Sequence, residues 1–180
     1  MSARPPLRLV APAVEYRETF LRALGEFRRE GLPWWLSGDI EIAEIDFAAF
    51  VAKKLSDSQP RSEQVVPKTH LWALMADELV GRISIHHALS DALRKEGGHI
   101  GYDTVPSFRG RGVATEMLSQ ALPVARALGL SEVLITCDDT NVGSIRVIEA
   151  VMAESGGALR ERRSLAEHRP LKRYYWLALP

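Results

Sequence analysis

The sequence has one cysteine, Cys137, in 180 residues. A disulfide within the chain is therefore excluded, and a cysteine-based zinc site finds no support. Net charge is also missing, because 23 Lys and Arg balance 23 Asp and Glu. Binding to a phosphate backbone needs a clustered excess of positive charge, so nucleic acid is not an expected partner. The basic run Arg160–Arg163 reads first as a solvated edge. There is no N-terminal apolar run of signal-peptide length and no stretch of about 18 apolar residues, so the expectation is a cytoplasmic protein with no membrane partner. Repeats and low-complexity tracts are absent.

What is present is an ordinary globular balance, 46% hydrophobic and 26% charged. The length suits a single domain over residues 1–180. Leu7–Ala11 reads as a short strand. Val14 to Arg29 carries an apolar stripe of helical spacing through Tyr16, Phe20, Leu24 and Phe27, and Gly31 and Pro33 stop it. Trp34–Trp35 reads either as a plug over the core edge or as the wall of an acceptor pocket. A second helix is expected over Ile45–Leu55.

A hairpin follows, with strands Thr69–Met75 and Leu79–His87 around Asp77-Glu78. Ala88–Lys95 is a connection of some helical character. His99–Val105 is the next strand, ended by Pro106. The spacing then predicts a helix over Gly112–Leu128, bent or divided at Pro123. A covered strand, Glu132–Cys137, comes next. A helix capped within Asp138–Asn141 runs to about Ala153, and strands near Ala158–Arg163 and Lys172–Leu179 close the chain. The order predicts an α/β (α+β) layered fold, a mainly antiparallel sheet of about seven strands flanked by about four helices.

The stretch Gly97–Leu118, GGHIGYDTVPSFRGRGVATEML, concentrates the chemical signal. A strand ends, a glycine-rich turn follows, and an amphipathic helix starts at once. The first N–H groups of such a helix lack intrahelical partners and sit at the positive end of its dipole, which makes a backbone anion site. Gly110 and Gly112 allow close approach, and Arg109 and Arg111 add charge. A Walker loop is excluded because Val113 follows Gly112, and a dinucleotide fingerprint because Thr115 stands where its third glycine belongs.

Arg109, Gly112 and Ala114 fill the pattern Arg/Gln-x-x-Gly-x-Gly/Ala. This resembles the pyrophosphate-binding signature of the GNAT superfamily of acyl-CoA N-acyltransferases. The resemblance extends from about Leu71 to Met152 and is strengthened by the run LITCDDTNVGSIRVIEA. It is similar to a branch whose acceptor is mostly unassigned. The resemblance implies acetyl-CoA as co-substrate, no metal, and a small-molecule or peptide amine as acceptor. It is compatible with a homodimer. It assigns the acetyl carbonyl and pantetheine to the backbone of Thr104 and Val105. The pyrophosphate falls to the amides of Arg111, Gly112, Val113, Ala114 and Thr115. Asn141 would contact the pantetheine, and Ser144 would face the cofactor. One departure stands out: many members carry a Tyr general acid seven residues after that Asn, and here the position is Ile148.

Direct attack by an amine needs a proton acceptor. The sequence offers His99, Asp103, Glu96, His86 and His87. His99 and Asp103 share a face of the strand leading to the thioester and are the first choice. His99 also reads as a structural histidine, and Asp103 as a carboxylate pinning the loop. Tyr102 reads as core with its hydroxyl satisfied, and Cys137 as a small core hydrophobe. Two other functions stay open on the sequence: a non-catalytic coenzyme A-binding module, and, more weakly, a nucleic-acid-binding domain.

Overall fold

The computed structural model describes residues 4–31, 39–62 and 65–179. Among the described residues seven strands form two antiparallel sheets. The first has the order β1-β2-β3-β4, from Leu7–Val10, Lys68–Met75, Glu78–His86 and Ile100–Thr104. The second has the order β5-β7-β6, from Glu132–Asp138, Lys172–Ala178 and Gly157–Arg163. The strands match the expected ones, but they divide into two sheets. These meet at one isolated bridge between Gly98 and Ile135, where the His99 N–H donates to the Leu134 carbonyl over 2.7 Å. Gly98 lies at φ +73, and a Cβ there would stand 2.4 Å from the Leu134 oxygen. Only glycine permits that approach.

Six α-helices appear among the described residues, more than expected. The predicted first helix begins with a 3₁₀ turn, Val14–Tyr16, and continues as α1, Arg17–Arg29. The predicted second, Ile45–Leu55, is α3, Phe47–Ser56, and an additional short helix, α2, Ile40–Ile45, precedes it. Asp46 makes the break: its backbone leaves the helical region, and its carboxylate caps α3 by accepting from the Ala49 N–H over 2.9 Å. The short α4, Asp91–Lys95, sits in the Ala88–Lys95 connection. Helix α5, Val113–Ala127, runs through Pro123 without a break. Pro123 is exposed, so the carbonyl of Ser119, which loses its partner there, has access to water. Helix α6 spans Val142–Ser155.

Alternation along the strands separates two faces of the first sheet. One face carries Ala73, Ile83, Ile85 and Ile100, which pack with Met117, Leu118 and Ala121 of α5 and Ile148 of α6. The opposite face is covered at one end by α1–α3. There Phe20, Phe47, Phe50 and Trp72 form an aromatic cluster with ring centroids 5.0–6.5 Å apart. The rest of that face is polar and remains open.

Candidate active site

The open end of that face and the gap between the two sheets form one cleft of about 1010 Å³. Beyond the Gly98–Ile135 bridge no ladder joins β4 to β5, and residues of both strands line the gap. On β4, the His99 carbonyl accepts from the His86 N–H over 2.7 Å, and the Val105 N–H donates to Val80 over 2.9 Å. Odd positions thus pair with β3. In an antiparallel ladder the even positions then aim their backbone groups the other way, so Tyr102 and Thr104 face the gap.

Thr104 presents its backbone to the gap, and the Val105 amide is engaged by the Val80 carbonyl.

At the end of β4 a 3₁₀ turn, Pro106–Phe108, leads into Arg109–Gly112. Glu26 of α1 anchors it by accepting from the Ser107 N–H and hydroxyl, both over 2.9 Å. Gly110 and Gly112 have φ of +70 and +77, and a Cβ at either would meet nothing within 4 Å. Glycine is required here by the left-handed backbone and not by crowding. Gly112 caps α5 without any side-chain hydrogen bond. The amides of Val113, Ala114 and Thr115 in the first helical turn are therefore left for an external acceptor, while the Val113 side chain is buried in the core.

The two arginines differ. Arg109 is pinned, donating to the Thr104 carbonyl over 3.2 Å and pairing with Glu30 at 2.8 Å. Arg111 is exposed, with its guanidinium 5.6 Å from the Phe108 ring centroid.

The start of α6 closes the other side of the gap. The Asn141 side chain caps the helix, accepting from the Ser144 N–H over 3.0 Å. The Ser144 and Tyr102 hydroxyls lie 2.8 Å apart. Tyr102, Asn141, Ser144 and Cys137 all line the cleft. Burial holds the Tyr102 phenol protonated far above its ordinary range, and it pushes the Cys137 thiol up to about 11. Such a thiol is not a nucleophile at neutral pH. Ile148 is fully buried in the core and far from acid chemistry.

The expected bases separate. His99 does not line the cleft. Its Nδ1 accepts from the Leu134 N–H over 2.8 Å, and burial lowers its pKa to about 4. The lone pair that a base needs is spent on holding the two sheets together, so His99 is placed as a structural residue. Asp103 does line the cleft, bound by the Arg82 guanidinium at 2.7 and 3.1 Å. Glu96 lines it too, paired with Arg169 and with Lys172. His87 is bonded to the Thr69 hydroxyl at 2.8 Å.

One imidazole falls outside the expected set of bases. His70 of β2 lines the cleft, and its Nε2 lies 2.9 Å from Asp57. Its Nδ1 has no hydrogen-bond partner among the described residues. Burial first, then the nearby Lys68 and Lys54 charges, lower its pKa to about 4, so it is neutral at pH 7. With Nε2–H donated to Asp57, the lone pair falls on Nδ1.

The Trp34–Trp35 pair lies outside the described residues. Among the described residues no group of three or more His, Cys, Asp or Glu is placed to hold a metal ion, and no helix is long and apolar enough to cross a membrane. The basic run lies on the edge strand β6. Arg160 pairs with Glu132 and covers Trp176, and Arg163 pairs with Glu161 and covers Tyr174.

A splayed pair of strands, a glycine turn leading from one of them into an uncapped helix N-terminus and a polar cleft beside them make up the site. Residues 7–152 match the model of the acetyltransferase (GNAT) domain. The chain belongs to the GNAT acetyltransferase family.

Solved structures share the fold. They include the microcin C7 self-immunity acetyltransferase MccE in complex with acetyl-CoA and AMP, at 18% identity and a TM-score of 0.63, covering 96% of this chain and 92% of that one. The ribosomal L7/L12 α-N-protein acetyltransferase RimL, in complex with coenzyme A held as a cysteine disulfide, aligns at 15% identity and a TM-score of 0.65, covering 99% and 96%. Mycobacterium smegmatis RimJ, with a CoA disulfide, aligns at 18% identity and a TM-score of 0.63, covering 97% and 83%. No curated protein matches the sequence.

Proposed function

We propose that this protein is an acetyl-CoA-dependent N-acetyltransferase that acetylates a primary amine by direct attack. The observation that carries the reading is the uncapped start of α5 behind Gly110 and Gly112, reached directly from the end of β4, whose residues line the gap. The pyrophosphate of acetyl-CoA binds the amides from Arg111 to Thr115, and the exposed Arg111 side chain supplies positive charge. The pantetheine runs through the gap along the backbone of Tyr102 and Thr104, past Asn141. Related structures carrying acetyl-CoA or coenzyme A support this choice of ligand.

The acceptor amine enters from the polar face of the first sheet. Its nitrogen attacks the acetyl carbon, the C–N bond forms and the C–S bond breaks. His70 takes the amine proton at Nδ1, while Asp57 fixes the tautomer. Asp103, held by Arg82, orients the incoming ammonium. The departing thiolate accepts a hydrogen bond from the Ser144–Tyr102 hydroxyl pair, which stays protonated and stands in for the Tyr that Ile148 replaces, and it takes its proton from water. Asn141 leaves its amide nitrogen for the pantetheine while its oxygen caps α6. A route through Cys137 is disfavoured by its raised pKa.

The non-catalytic reading rests on Ile148 and on the lack of a base. The hydroxyl pair and the His70–Asp57 pair weaken both supports. Thiol release with acetyl-CoA and a broad amine panel tests the proposal. Turnover above hydrolysis with at least one amine is expected, and Tyr102→Phe should lower kcat roughly a hundredfold with acetyl-CoA affinity unchanged. No turnover with any amine by a protein that binds acetyl-CoA would favour the non-catalytic module.

A further inference from the structure

The polar face of the first sheet is laid out by strand register. Lys68 stands opposite His86, His70 opposite Ser84, and Trp72 opposite Arg82, which in turn faces Asp103. The acids around this face are already answered. Asp103 is bound by Arg82, Asp57 by His70 and Arg61, and Asp39 by Lys53 and Lys54. Glu96 and Asp138 are bound across the cleft, by Arg169 and Lys172 and by Lys172 alone.

Lys68 is the exception. It lines the cleft and is partly buried, and among the described residues its ammonium makes no hydrogen bond or ion pair. Lys54 and Arg82 repel it, and the two acids that attract it, Asp57 and Asp39, hold other cations. Beside it His86 also lines the cleft, with a buried Nδ1 that has no partner. A desolvated cation without a counter-charge is costly. Methionine at this position would fill similar space without that cost.

Lys68 is also far from the phosphate turn. Four residues along β2 separate it from Trp72, roughly 13 Å at strand rise, and the Trp72–Arg82–Asp103 row is the one that leads toward Arg109–Ala114. The cleft therefore has two separate places for anions. At the Asp103 end it offers a carboxylate suited to an ammonium, and the His70 imidazole stands between that end and Lys68.

We infer that the acceptor is a small amine that also carries a carboxylate or phosphate group, and that Lys68 receives that anionic group. This rests on the acetyltransferase reading and narrows it. His70, which takes the amine proton, stands two residues from Lys68 on the same face of β2, roughly 7 Å at strand rise, so the amine and the anionic group are separated by a short span of the acceptor.

Calorimetry on the protein saturated with coenzyme A tests this with matched pairs. The pairs are β-alanine and its amide, ε-aminocaproate and its amide, and phosphorylethanolamine and ethanolamine. At least one charged member should bind tenfold or more tightly than its neutral partner. Lys68→Met should abolish that difference and Lys68→Arg should keep it, with coenzyme A affinity equal in all three proteins. Which pair discriminates tells carboxylate from phosphate. Lys68→Met should also melt higher than the parent, which confirms that the fold tolerates it. No discrimination in any pair, or discrimination that survives Lys68→Met, overturns the inference. Tighter binding of an acidic peptide than of every small amine overturns it too. Failure to bind coenzyme A at all would instead overturn the acetyltransferase reading.

Discussion

At the residue scale, the chemistry of the cleft depends on which lone pairs are already used. His70 and His99 are both buried, and both have their pKa lowered to about 4. They differ in one hydrogen bond. The Leu134 N–H occupies Nδ1 of His99, whereas Asp57 engages Nε2 of His70 and leaves Nδ1 for substrate. His70→Gln should therefore lower kcat roughly a hundredfold and leave acetyl-CoA affinity unchanged, as read by steady-state kinetics and calorimetry. His99→Gln should act through stability, with a lower Tm and near-parental kcat. Equal loss of kcat in a folded His99→Gln protein would contradict the assignment. Little of this was legible in the sequence. His70 and Asp57 are 13 residues apart, and Tyr102 and Ser144 are 42 apart. No local pattern announces either pair, whereas Asn141 and Ser144, three residues apart, form a cap that spacing alone suggests.

At the scale of elements, the glycine turn and helix α5 of the proposed phosphate site were readable because their signals are local. Glycine marks left-handed backbone, and an apolar stripe marks the helix behind it. Asn141→Ala should cost about 1 kcal/mol of stability through loss of the α6 cap, measured by chemical denaturation. The fate of Pro123 was not readable, because propensity does not state which face of α5 meets water. Its exposed position allows the helix to continue. Pro123→Ala should restore the missing N–H and raise stability by about 1 kcal/mol or more, and a lower Tm would contradict the unbroken α5. Helix α2 also escaped the sequence: the expected helix begins at Ile45, one residue before the Asp46 cap that starts α3, and six residues are too few for a periodic stripe to show. The division into two sheets was hidden for a related reason: periodicity identifies strands but not which neighbours pair.

At the scale of the whole molecule, two sheets joined at one bridge leave a gap that a continuous sheet would not have. Two buried histidines and one partly buried histidine make this architecture sensitive to acid. His70, His86 and His99 are each lowered from 6.5 to about 4. The unfolded chain binds protons at higher pH than the folded one, so stability falls as pH drops from about 6.5 toward 4 and is retained above that window. Thermal melts across that range should show a steady loss of Tm, reduced in His99→Gln. A flat profile would mean that the histidines are not buried neutral.

The turn Arg109–Ala114, the proposed phosphate site, is the feature on which the proposed function depends most. Calorimetric titration of acetyl-CoA into the parent protein and Gly112→Val tests it directly. The Gly112 backbone is left-handed and its surroundings are open, so valine forces the turn out of shape without a clash. The parent should bind acetyl-CoA, and the variant should bind at least tenfold more weakly while keeping its fold by circular dichroism. Equal affinity in the two proteins would show that acetyl-CoA, if bound, is held elsewhere than at the start of α5.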